Sequence, residues 1–296
     1  MSENRIDRHH ARWSGPIRGI AAAALSALVL VGCGETPEQM LASAKSYIAK
    51  QDFDAASIQL KNALQEDANI AEARFLLGRI NLRQGNVTGA VKELERAMEL
   101  GYARDTVAAE LAPALVRAGQ FDRVLAEFGD PRVSEPATVA IVHTALGDAH
   151  LARRDVDKAQ SAYLEALEAN AEEHGARIGF ARTAAIKGDL QAAEEAVRQV
   201  IARAPQIAEA HALLADLLAG RGDLPGAIAA LREAVRLQPG TVASHYALVT
   251  LLLRQNAVAE ADAALDAMKS AVGKHPFTRY LVALRDYREN RLAEAR

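Results

Sequence analysis

Small residues recur at a fixed interval along most of this chain, and that interval limits what it can fold into. Ala44, Gly78 and Ala112 are 34 residues apart; after a one-residue insertion the series resumes at Gly147, Ala181, Ala215 and Val249. A second set runs in step: Ala56, Ala90, Ala159, Ala193, Ala227, Ala261 and Ala295. Leu60, Leu94, Tyr163, Val197, Leu231 and Leu265 follow four residues later, on the same helical face. Ala63, Ala97, Ala166 and Ala234 come three further on. Turn signals separate the apolar stretches at Gly85-Asn86, Gly119-Gln120, Arg154-Asp155, Gly188-Asp189 and Gly222-Asp223, while Pro205 and Pro239 close second helices. A period of this size means a stacked array, in which each unit buries its apolar face only against its neighbours. Small side chains mark the places where two antiparallel helices cross closely. The spacing predicts an all-α chain of about seven and a half helix pairs over residues 37–296.

Composition agrees. Half the residues are hydrophobic yet only 4% are aromatic, which suits closely packed helices better than one large core. A formal charge of −3 argues against a general nucleic-acid binder. One cysteine excludes an internal disulfide and any zinc site built from several thiolates.

The pattern resembles the tetratricopeptide repeat: a small residue at the eighth position, alanine at the twentieth, an apolar residue at the twenty-fourth, and often proline near the thirty-second. The resemblance implies a right-handed α-solenoid with a concave groove lined by the first helices. It also places the second, fifth, ninth and twelfth positions of each first helix in the groove. Those positions include Phe75, Arg79, Asp148, Ile178, Arg182, Asp216, Tyr246 and Leu253. No fifth position is Lys and no ninth is Asn, so the basic clamp with which some members seize a terminal carboxylate is missing. Mixed charge with scattered aromatics suits an extended peptide or a protein surface.

Three irregularities stand out. Thr36-Pro37-Glu38-Gln39 predicts a capped helix start. The third repeat is degenerate: Pro113 falls inside its first helix and is expected to kink it, and Phe128 to Pro136 (FGDPRVSEP) cuts its second helix short. The chain stops at NRLAEAR, which predicts that Phe277, Tyr280, Leu281, Leu284 and Tyr287 lack their cover and that the array continues in a longer protein.

Ahead of the array, Arg5, Arg8, Arg12 and Arg18 precede a twelve-residue uncharged run, Ile20 to Val31. That run is too short to span a bilayer as a helix, which needs about 20 residues. A basic flank followed by a short apolar run is the signature of an export signal. Leu30-Val31-Gly32-Cys33 resembles the lipobox of bacterial lipoproteins, where the thiol is acylated and the cysteine becomes the new N-terminus. The reading is a lipoprotein signal peptide over 1–32, a lipidated tether over 33–36, and several acyl chains giving a stable anchor. Gly34, in place of the Asp that retains many such proteins at the inner membrane, favours the outer membrane facing the periplasm.

No Gly-rich phosphate loop, G-x-S-x-G or H-E-x-x-H occurs, and no catalytic, metal or cofactor residue is expected. His143, His211 and His245 share the fourth repeat position, on successive rungs, and read as packing residues. Glu172-Glu173 and Glu194-Glu195 read as solvated faces.

The lipobox, with SIQLKNALQ, AEARFLLG, ELERAMELGY and HPFTRYLVALRDYRENRLAEA, resembles the tetratricopeptide lipoproteins of PEP-CTERM/exosortase systems. That resemblance implies a non-catalytic scaffold in the envelope of a Gram-negative bacterium, serving exopolysaccharide export or surface-protein sorting. Its partners would be proteins or peptides, and the membrane through Cys33, with no nucleic acid and no small-molecule substrate. Two alternatives stand beside it: the guiding repeats of a larger enzyme, such as a glycosyltransferase, and a lipoprotein of outer-membrane protein assembly.

Overall fold

The structure, a computed structural model, describes residues 35–130 and 132–288. The Leu30–Cys33 motif, Ala295 and the NRLAEAR end lie outside the described residues. From Thr36 onward the chain forms one compact unit, and its described residues form fifteen helices and no strand. No described helix is long and apolar enough to cross a membrane.

First helices of the pairs are α1 (Pro37–Ala49), α3 (Ala71–Arg83), α5 (Arg104–Arg117), α7 (Pro136–Ala152), α9 (His174–Ile186), α11 (Ala208–Gly220), α13 (Val242–Arg254) and α15 (Pro276–Arg288). Second helices are α2 (Phe53–Glu66), α4 (Val87–Glu99), α6 (Phe121–Phe128), α8 (Val156–Ala169), α10 (Leu190–Arg203), α12 (Leu224–Leu237) and α14 (Val258–Val272). Each helix packs on the next in the chain. First helices also touch the first helix one pair along, as α5 does α7 and α7 does α9. This is a stacked solenoid, because among the described residues every substantial helix–helix contact runs within a pair or between neighbouring pairs.

The recurring small residues are its seams. Ala44, Ala112, Ala181 and Val249 are fully buried, as are Ala56, Ala90, Ala159, Ala193, Ala227 and Ala261. Leu60 and Leu94 beside them are also fully buried, each contributing about 1.5–3 kcal/mol of transfer free energy. A methyl group on Gly78 would lie 2.7 Å from Leu94 Cγ, so that crossing has no room for one. Tyr163 takes the leucine position of its repeat and needs more space. Its ring meets Gly147 of α7 and Gly179 of α9, where added methyls would overlap it. Its hydroxyl donates to Asp148 Oδ1 at 2.7 Å.

The turns within pairs share one solution. The residue before each cap has positive φ: Gly85, Gly119, Gly188 and Gly222, with Gln51, Arg154 and Asn256 at the same repeat position. Asp52, Asn86, Asp155, Asp189 and Asp223 then accept a hydrogen bond from the backbone N–H three residues on. Thr36 and Gln39 form the predicted capping box.

The turns between pairs use the fourth repeat position. Nε2 of His211 and of His245 lies 2.8 Å from the carbonyl of Pro205 and of Pro239, six residues upstream. Arg74 and Arg177 reach the carbonyls of Ala68 and Ala171 in the same way. These histidines are buried, as expected of packing residues, but they also satisfy a turn carbonyl. His143, which follows the irregular turn, instead has Nδ1 2.8 Å from Glu165 Oε2, out of line for a hydrogen bond.

The third repeat is short where expected, with α6 only 8 residues long. Asp105, in the first turn of α5, takes over the missing support. Its carboxylate accepts from the N–H groups of Ser134 and Glu135 at 2.9 and 2.8 Å, tying down the entry to α7. Those two donors hold its pKa below the usual aspartate value. Pro113 does not break its helix: α5 runs unbroken from Arg104 to Arg117. Ala109, whose carbonyl loses its donor, lines an open cleft with Pro113, where water can replace the lost bond. At the far end Leu281 is fully buried, contrary to the expectation that it lacks cover, while Phe277, Tyr280 and Tyr287 are exposed.

Candidate protein-interaction groove

Inner-face positions of the first helices divide into packing residues and accessible ones. Of the eight predicted groove residues, Phe75, Ile178 and Leu253 are only 4%, 3% and 1% exposed. Their side chains turn into the seam with the neighbouring pair, so they are core residues and offer no surface to a partner. Arg79 and Asp216 are exposed, and Asp148, Arg182 and Tyr246 are half-buried. These five carry the accessible face.

Charge along this face is organised by rung. Lys45 pairs with Glu72 of the next first helix at 2.7 Å, and Arg182 pairs with Glu209 in the same relation. Arg79 reaches Glu110 at 3.2 Å and lies over the ring of Phe75, which stacks on Tyr102 at 4.8 Å. Burial pushes the carboxyl of Asp148 upward, opposed by the Tyr163 hydroxyl and by the Arg182 charge. Toward the last described helix the face turns aromatic: Tyr246 meets Phe277 at 5.4 Å and Tyr280 at 6.3 Å.

Two clefts open along the first helices. One, of about 360 Å³, lies between α1, α2, α3 and α5, with Ile48, Phe53, Leu76 and Arg83 among its walls. The other, of about 340 Å³, lies between α5, α7 and the start of α9, and includes Pro113, Ile141, Asp148 and Glu173. Glu173 is therefore half-buried in the groove wall, contrary to the solvated reading, and burial raises its pKa. Glu194 is likewise not free in solvent: it pairs with both Arg198 and Arg221, 2.8 and 2.7 Å away. The burial of the three apolar groove residues had no clear sequence signal, because fifth and twelfth positions read alike whether a rung is open or closed. Among the described residues, no group of three His, Cys, Asp or Glu is placed to hold a metal ion.

A stacked array of helix pairs with a continuous, mixed inner face defines a solenoid scaffold of the kind that recognises other proteins. The comparisons name its family. A sequence profile of the tetratricopeptide repeat matches residues 41–103, 144–206, 178–241 and 212–277, and the chain belongs to the tetratricopeptide-repeat family. The unmatched stretch between the first and second matches contains the short α6. A tetratricopeptide repeat protein from Parabacteroides merdae superimposes with a TM-score of 0.67 at 18% identity, covering 85% of this chain and 99% of that one. Yeast Tom70 gives 0.58 at 16% identity, over 95% of this chain and 61% of Tom70. MamA from Desulfovibrio magneticus RS-1 gives 0.50 at 18%, over 57% of this chain and 94% of that one. Identities this low show a shared fold. No protein of curated function matches the sequence.

Proposed function

We propose that this protein is a non-catalytic scaffold that holds extended segments of protein partners in its concave face. The observation that carries the reading is the pair of open clefts along the first helices, walled by side chains of both charges and by apolar groups. Arg79, Asp148, Arg182, Asp216 and Tyr246 are its proposed contacts.

The scaffold is tethered to the envelope of a Gram-negative bacterium by acyl chains on Cys33, at the outer membrane facing the periplasm. What supports the tether is the Leu30–Cys33 motif behind a basic, apolar leader. What supports a role in exopolysaccharide export or PEP-CTERM protein sorting is the sequence resemblance of the repeats to that system's lipoproteins.

A photo-crosslinking residue at Asp216 or Arg182 tests the groove in intact envelopes. Discrete adducts from these sites, and none from a probe at Lys92 on the second helix of its pair, are expected; equal yields from both faces would refute the assignment. Cys33→Ser should abolish incorporation of a fatty-acid analogue, and retained label would refute the anchor.

A further inference from the structure

The two groove clefts carry opposite charge. The first is lined by Arg79, Arg83 and Arg117 with a single carboxylate, Glu110, which is taken up by Arg79. Arg83 lies 4.6 Å over the ring of Phe53, and among the described residues neither it nor Arg117 pairs with a carboxylate. Elsewhere on the inner face Lys45 and Arg182 are matched to Glu72 and Glu209. Unmatched positive charge therefore gathers at this cleft, in a chain whose net charge is −3.

In the second cleft the sign reverses. Asp148 spends one oxygen on Tyr163 and feels the charge of Arg182, which is already paired with Glu209; among the described residues Glu173 forms no ion pair, and the one cation on the wall is the shared Arg117. Between the poles the surface is apolar, formed by Ala109, Pro113 and Val116 on α5 and Ile141 on α7. Arg117 borders both clefts, so one ligand can occupy them continuously.

We infer that this part of the groove takes an extended peptide bearing an acidic side chain at the Arg83/Arg117 cleft, an apolar stretch over α5, and a basic side chain at Asp148 and Glu173. This rests on the peptide-scaffold reading and specifies its ligand. Neighbouring helix axes lie about 8–10 Å apart, which an extended chain covers in about three residues at ~3.3 Å each. The poles are one to two helices apart, so the two charges belong roughly three to six residues apart. Opposite poles also fix the direction in which the segment lies, since the reversed peptide brings like charges together.

Panning a random peptide library displayed on phage against the full chain tests this, with Arg83→Gln/Arg117→Gln and Asp148→Asn as counter-selections. Both arginines are exposed, so their replacement leaves the helical circular dichroism intact. Enriched peptides should carry one acidic and one basic residue at that spacing in a single order, and should bind each variant roughly tenfold more weakly. Enriched peptides without the paired charges, or with undiminished binding to both variants, would overturn the polarity and leave the groove a peptide receptor. Failure to enrich any peptide would overturn both.

Discussion

Replacing Gly179 with alanine should cost this fold stability, against the usual effect of that change in a helix. In an exposed helix interior the substitution gains about 1 kcal/mol. Here the new methyl would come within 2.7 Å of Tyr163 Cδ1 and closer still to its neighbours in the ring. The ring cannot give way freely. Gly147 on α7 leaves it no more room, since a methyl there would sit 2.5 Å from Cε1, and the hydroxyl is held by Asp148. Overpacking a rigid core costs about 1–3 kcal/mol, and a ring held by two helices belongs at the upper end. Subtracting the propensity gain leaves a net loss of about 2 kcal/mol. Urea unfolding followed by far-ultraviolet circular dichroism measures it. The decisive comparison is a double-mutant cycle with Tyr163→Leu, which restores the residue found at Leu60, Leu94, Leu231 and Leu265. In that background the methyl fills vacated space, so Gly179→Ala should become neutral or stabilising, with a coupling of about 2–3 kcal/mol. A Gly179→Ala variant as stable as the parent, or one losing the same amount in both backgrounds, would show that the glycine is not there for the ring.

Arg154→Gly should stabilise by about 0.5–1 kcal/mol, visible as a raised urea midpoint, because Arg154 is an exposed residue at φ 64 where four other turns use glycine. Asp105→Asn should remove an acid-sensitive link. The folded pKa of Asp105 is depressed by the Ser134 and Glu135 N–H groups, so its contribution is present above the unfolded aspartate value and is lost as pH falls through the lower folded one. Hydrogen exchange at the start of α7 should rise over that acid window in the parent and lose its pH dependence in the variant. Asp148→Asn acts in the opposite sense. Burial raises the folded pKa of Asp148, so ionisation works against folding above that value and protonation relieves it as pH falls. The amide variant should be more stable than the parent near neutral pH and converge with it in acid; a variant less stable at neutral pH would refute the burial cost.

Much of the architecture was written in the chain in a form that local chemistry enforces. A 34-residue recurrence of small residues leaves helices one way to approach, and Gly-Asp or Gly-Asn pairs both permit the left-handed turn and cap the next helix. The same logic located the short α6 and the capped start at Thr36. Other features depend on which groups meet in space. Repeat position marked Phe75, Ile178 and Leu253 for the groove, but their burial depends on how tightly adjacent pairs close, and that is a sum over side chains from several helices. The support that Asp105 lends to α7 spans about one repeat, and no local pattern announces it. Periodicity along the chain determines that helix pairs stack, because every unit must bury the same face. Only stacking decides which charges find partners across a rung and which remain for a ligand, since ion pairing depends on distances between helices and not on order along one.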